Sequence, residues 1–239
     1  MRTPLPPAAL AIGAIVPDLL YYVPLGFPRW FTHSWLGVVS VNLALGLVLF
    51  FLWQYVFRAP VIDFAPRWVR RRMPAEFRMP TTLRASGTFA ALLIGAVLLG
   101  STTHLVWDSL THAGPVADAL GLDAAAGAIP LYTWGKHVSS AVGALVLAVF
   151  VLVWTRRTAP REAAATRLSP EQRRNGTLLM LASAVVVAFA VWIRGMQHGW
   201  SAFDGELIFY TVTIVPTAAA LCAVILSIVW WTVRRPRLH

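Results

Sequence analysis

Residues 87–114 read "GTFAALLIGAVLLGSTTHLVWDSLTHAG". From Phe89 to Gly100 the run is apolar without interruption, and then His104, Asp108 and His112 follow at intervals of four. In an α-helix, positions four apart lie ~40° from each other around the axis and ~6 Å along it. One stripe of an otherwise lipid-compatible helix therefore carries two imidazoles and a carboxylate. A bilayer crossing takes about 20 predominantly apolar residues, and this segment supplies them.

Outward from this helix the pattern repeats. Apolar segments over about 35–57, 138–155, 177–193 and 207–233 are also long enough to cross a bilayer, or nearly so. A weaker segment over about 5–25, "LPPAALAIGAIVPDLLYYVPL", contains Pro17 and Asp18 and is expected to break or end near the proline. With 58% hydrophobic and 13% charged residues in 239, the chain lacks the polar surface of a water-soluble domain. No period-two alternation points to a barrel. The expected fold is all-α: a single integral membrane domain spanning 1–239, a bundle of about six transmembrane helices. The lone Cys222 excludes an intramolecular disulfide and a cysteine-based metal site.

The net charge of +10 is a topology signal and not a nucleic-acid surface, because it is confined to particular loops. Residues 58–86 hold Arg58, Arg67, Arg70, Arg71, Arg72, Arg78 and Arg84, and residues 156–176 hold six more arginines. Arg2 and the tail "RRPRLH" fall on the same side, whereas Arg29, Lys136 and Arg194 are the only basic residues opposite. The positive-inside rule then places both termini in the cytoplasm of a plasma-membrane protein. Membrane lipids are the expected partners, with the Arg loops against the anionic cytoplasmic leaflet.

That orientation sorts the histidines. His33, His104, His112, His137 and His198 come out extracytoplasmic, and His239 alone lies inside. Asp18 and Asp108 fall at the same level. Imidazoles and carboxylates meeting at one depth are the donor set of a borderline divalent cation such as Zn or Mn. Plainer readings exist for each residue. His104 and Asp108 can satisfy one another at a helix end, His33 can partner its aromatic neighbours, His137 can anchor the head of its helix, and His198 can be a loop residue.

The words "GAIVPDLLYY", "FTHSWLG", "THLVWDSLTHAG" and "IPLYTWGKHVSSAVG" resemble a family of multi-pass bacterial membrane proteins, domain of unknown function 4184, over roughly residues 8–157. That family is in turn distantly similar to inner-membrane proteins described as metal-dependent hydrolases, which share a Pro-Asp, Thr-His-Ser and His-x-x-x-Asp layout. The resemblance implies a ligand set of Asp18, His33, His104 and Asp108, with His112 and His137 near the same site. Related sequences carry a Ser-His-Ala element upstream of the first helix, whereas this chain opens "MRTPLPPAAL". The reaction this implies is metal-assisted hydrolysis of a lipid or lipid-linked phosphoester. In it His112 serves as further ligand or proton shuttle, His137 orients a ligand or steadies a leaving group, and Lys136 and Arg29 pair with substrate phosphate. The alternatives are a metal- or lipid-binding envelope scaffold without turnover and, less favoured, a transporter. Against the latter, most of the spans carry no ionisable residue near mid-membrane.

Overall fold

The computed structural model describes residues 5–23, 25–74, 77, 87–127, 129–162, 167–201 and 204–232. Arg2, Glu76, Arg78, Arg84, the tail arginines 234, 235 and 237, and His239 lie outside them. The fold is almost wholly helical. Helix α1, Pro7–Tyr21, is α-helical to Ile15 and tightens to 3-10 geometry over Val16–Tyr21. A short α2, Arg29–Thr32, precedes α3, Trp35–Phe64, which contains π-helical segments at Val38–Asn42 and Trp53–Phe57. Then come the short α4, Arg67–Arg70, the long α5, Gly87–Thr111, and the short α6, Pro115–Ala119. A two-residue hairpin, β1 Ala125–Ala126 with β2 Ile129–Pro130, leads to α7, Leu131–Arg157. Helices α8, Pro170–Gln197, and α9, Gly205–Thr232, complete the chain.

Five of these helices, α3, α5, α7, α8 and α9, are long and apolar enough to cross a membrane. At 1.5 Å per residue, α1 falls short of a ~30 Å hydrocarbon core. The spans run further than hydropathy marks them: α3 to Phe64, α5 to Thr111, α7 from Leu131 and α8 from Pro170 to Gln197. Polar residues at a helix end still close backbone hydrogen bonds, so the helix outlasts its apolar stretch. One consequence is that His137 lies in the second turn of α7 instead of opening it.

Backbone contacts divide the chain into two compact units. The first comprises Met1–Pro17, Pro28–Phe50 and Arg84–Arg161. In it α1 packs chiefly on α5. The approach is backbone to backbone, since a Cβ at Gly13 would collide with Val97 and one at Gly100 with Leu10 and Ala14. Small residues permit this closeness, which is how helices gain dispersion energy when lipid supplies no hydrophobic drive. Val97, itself buried, also fills the space beside Gly46 of α3.

The second unit comprises Asp18–Phe27, Phe51–Leu83 and Glu162–His239. Its largest contact is the pairing of α8 with α9. A capping box starts α8: the Ser169 hydroxyl accepts from Gln172 N–H at 3.1 Å, and the Gln172 side chain accepts from Ser169 N–H at 2.8 Å. Pro216 sits inside α9, where Thr211, Thr213 and Thr217 donate to carbonyls four residues back. Those hydroxyls are spent on the helix itself.

Candidate metal centre

Pro17 shapes the first ligand segment. It has no N–H, so the Gly13 carbonyl loses its i+4 donor. Ser101 Oγ on α5 donates to that carbonyl instead, at 2.9 Å, and both residues are buried. The next carbonyl along, Ala14, stands 2.8 Å from His104 Nδ1. A carbonyl only accepts, so Nδ1 carries the proton and the lone pair of the neutral ring is on Nε2. Nε2 is buried.

His33 is held in the same manner. Pro28 opens α2, and the Thr32 hydroxyl donates to the Arg29 carbonyl at 3.0 Å. His33 Nδ1 lies 3.2 Å from that carbonyl and 3.2 Å from Thr32 Oγ1. With the hydroxyl proton already spent, Nδ1 is again the donor and Nε2 bears the lone pair. The Ser34 hydroxyl caps α3 by accepting from Gly37 N–H at 3.0 Å. Behind the turn, Asn42 projects from the π-helical segment with no exposure and donates from Nδ2 to the Thr32 carbonyl at 2.7 Å. A π-bulge inserts one residue into the helix and rotates the turns beyond it, and such bulges cluster at functional sites.

These supports bring the side chains together. The His33 and His104 rings meet edge to face, with centroids 5.7 Å apart and planes at 68°. Asp18 follows Pro17 directly in the same 3-10 turn, so the end of α1 sets its position. Asp18, His33 and His104 each offer one donor atom, all within 4.8 Å of one another. A tetrahedral Zn with bonds of about 2.0–2.1 Å needs donor atoms roughly 3.4 Å apart, a contraction of up to about 1.4 Å from the 4.8 Å limit. Two imidazoles, each anchored through Nδ1 on a backbone carbonyl, and a carboxylate fit such an ion.

Asp108 stands at the edge of this trio. Its Oδ2 is 3.9 Å from His33 Nε2, and its Oδ1 takes His112 Nδ1 at 2.7 Å. The side chain of His33 is 14% exposed and that of His112 45% exposed, so the Asp108–His112 pair leads from the partly buried trio toward the surface. His137 is exposed on α7, and the structure does not group it with the trio. His198 is exposed too, and stacks on Trp200 with ring centroids 5.4 Å apart. Sequence reasoning missed Asn42 and the two carbonyl anchors. A single Asn among the apolar residues of "VVSVNLALG" was the available signal.

The Pro-Asp, Thr-His-Ser and His-x-x-x-Asp elements thus occur together in sequence and, for Asp18, His33 and His104, in space. The chain belongs to the DUF4184 family. The profile of that domain of unknown function matches residues 1–233, well past the 8–157 covered by the quoted motifs, and so takes in α8 and α9. Neither the search of curated proteins nor the search of solved structures finds a match. Membership of DUF4184 assigns no chemistry.

Proposed function

We propose that this DUF4184 protein is a divalent-metal-dependent hydrolase of the plasma membrane, acting on a lipid or lipid-linked phosphoester at the extracytoplasmic surface. One observation carries the reading: two histidines, each with Nδ1 on a backbone carbonyl so that Nε2 is the nitrogen left to bind, offer donor atoms within 4.8 Å of each other and of the Asp18 carboxylate. Three protein ligands and an open position is the catalytic arrangement of zinc, where structural sites use four. A bound divalent cation polarises a phosphoryl oxygen and makes water acidic enough to attack near neutral pH.

The chain's own residues do the rest. Asp108 Oδ1 fixes the His112 tautomer through Nδ1–H, which leaves Nε2 to take a proton from the attacking water. Half exposed, His112 returns that proton to the leaving alkoxide or to solvent. Water oxygen forms the new P–O bond as the P–O bond to the leaving group breaks. Arg29, one turn before His33, and Lys136 of α7 are the cations assigned to substrate phosphate. His137, on the same helix as Lys136, is an accessory residue. The orientation, with these residues outside and the Arg loops inside, follows from charge asymmetry.

A second reading has its own support. The three ligands come from three chain segments, so an ion would also staple them, as a structural metal does. Elemental analysis of purified full-length protein tests the common core. Stoichiometric metal in wild type, lost in His104→Ala and Asp18→Asn, is expected; metal-free wild type after growth with added Zn and Mn overturns it. Release of water-soluble headgroup from extracted lipids by the metal-loaded protein, abolished in His112→Asn with metal retained, then separates hydrolysis from stapling.

A further inference from the structure

Asp63 is 1% exposed, and its burial organises the basic end of the second unit. Its Oδ2 accepts the backbone N–H of Arg167 at 3.1 Å and the indole N–H of Trp230 at 2.8 Å. One carboxylate thus ties the end of α3 to the segment entering α8 and to the last turns of α9. The Arg167 guanidinium lies over the Trp230 ring at 4.2 Å and near Trp231 at 5.3 Å, which adds a cation–π clasp to the same junction. Phe64 fills the space beside Gly176 of α8.

This junction draws two arginine-bearing segments together. Arg70 Nε donates to the Ala65 carbonyl at 3.1 Å, and Arg173 Nη1 donates to the Leu168 carbonyl at 2.9 Å. Each guanidinium is therefore aimed by a carbonyl of its own segment. Burial, and after it the charges of Arg173 and Arg67, push the Arg70 guanidinium below its ordinary value. Like charges gathered this way repel, and an anion bridging them relieves the repulsion. The capped start of α8 adds the positive end of its dipole. Trp68, 45% exposed, lies between Arg67 and Arg70 in α4, and Trp231, 48% exposed, lies on the Arg167 clasp, as amphipathic rings do at headgroup depth.

We propose that Arg67, Arg70 and Arg173 form a binding site for the phosphate of an anionic lipid headgroup, seated on the Asp63 junction. Guanidinium forks match phosphate oxygens in pairs, and three of them from two segments confer preference over a zwitterionic headgroup, whose ammonium they repel. The site shares no residue with the metal centre and stands or falls apart from it.

The test uses full-length protein in phosphatidylcholine bilayers, with spin-labelled phosphatidylglycerol and spin-labelled phosphatidylcholine compared for immobilisation at the protein. The expected result is preference for phosphatidylglycerol, reduced about fivefold for each charge removed in Arg70→Gln and Arg173→Gln. Arg156→Gln with Arg157→Gln, at the exposed end of α7, leaves it unchanged. Equal binding of the two lipids by wild type overturns the proposal, and so does an equal loss in the α7 control, which would mark diffuse surface charge. Millimolar inorganic phosphate that displaces the labelled lipid as readily as unlabelled phosphatidylglycerol does would reassign the site to a soluble anion and overturn the lipid assignment. Should the glutamine variants fail to fold, Arg70→Lys with Arg173→Lys keeps the charges without the fork. Preference weakened there supports the site, and preference untouched overturns it.

Discussion

Replacing Gly100 by Ala should disable the metal centre from a distance. A Cβ at position 100 would meet the Leu10 carbonyl, Ala14 N at 2.7 Å and the Gly13 carbonyl carbon at 3.0 Å. All three are backbone atoms of α1, so no side chain can turn aside. To restore ordinary contacts of about 3.5–4.0 Å, α1 must move off α5 by roughly 1 Å. Two hydrogen bonds cross that seam, Ser101 Oγ to the Gly13 carbonyl at 2.9 Å and His104 Nδ1 to the Ala14 carbonyl at 2.8 Å. Both would open beyond hydrogen-bonding distance. Overpacking costs about 1–3 kcal/mol, and the unsatisfied buried carbonyls about 1–3 kcal/mol each. Discounted for partial relaxation, the expected loss is roughly 3–6 kcal/mol. Released from Ala14, His104 no longer has a fixed tautomer, and removal of such an outer anchor weakens metal binding about 10–100-fold. Thermal unfolding in detergent and zinc titration of the full-length protein measure the two effects. Gly143→Ala on α7, where nothing lies within 4 Å, is the neutral control. If Gly100→Ala melts with wild type and binds zinc equally well, the seam does not position His104 and the reasoning fails.

Asn42→Leu keeps the branched shape, in a somewhat larger side chain, but removes the donor to the Thr32 carbonyl; a loss of about 1–3 kcal/mol is expected by thermal unfolding, with weaker zinc binding because His33 follows Thr32 in the chain. His112→Asn should leave zinc stoichiometry unchanged while lowering headgroup release about 10²–10⁴-fold, the usual share of a general base; equal loss of metal would instead make His112 a ligand. Trp230→Phe removes the indole donor to Asp63 and the cation–π partner's electron-rich ring. It should destabilise the protein by about 1–3 kcal/mol in thermal unfolding without changing zinc affinity.

The spans were legible because bilayer crossing imposes length and apolarity on the sequence itself, and so was the level shared by Asp18, His33 and His104. What escaped was decided by hydrogen-bond partners that no spacing rule encodes. The four-residue spacing of His104, Asp108 and His112 suggests three equal members of one stripe, but the carbonyl of Ala14, ninety positions from His104, fixes Nδ1 as the protonated nitrogen of that ring. His112 instead closes on Asp108, so a uniform stripe divides into one member of the His/Asp trio and a dyad. Asn42 was hidden for a different reason: the π-helical segment shifts the register on which any helical-wheel argument depends. In the sequence Asp63 is, with Glu76, one of two acids among the seven arginines of residues 58–86. Helix α3 continues to Phe64, which turns that carboxylate inward onto a backbone N–H and an indole. In each case hydropathy located the residue along the chain, and the identity of its partner determined its role.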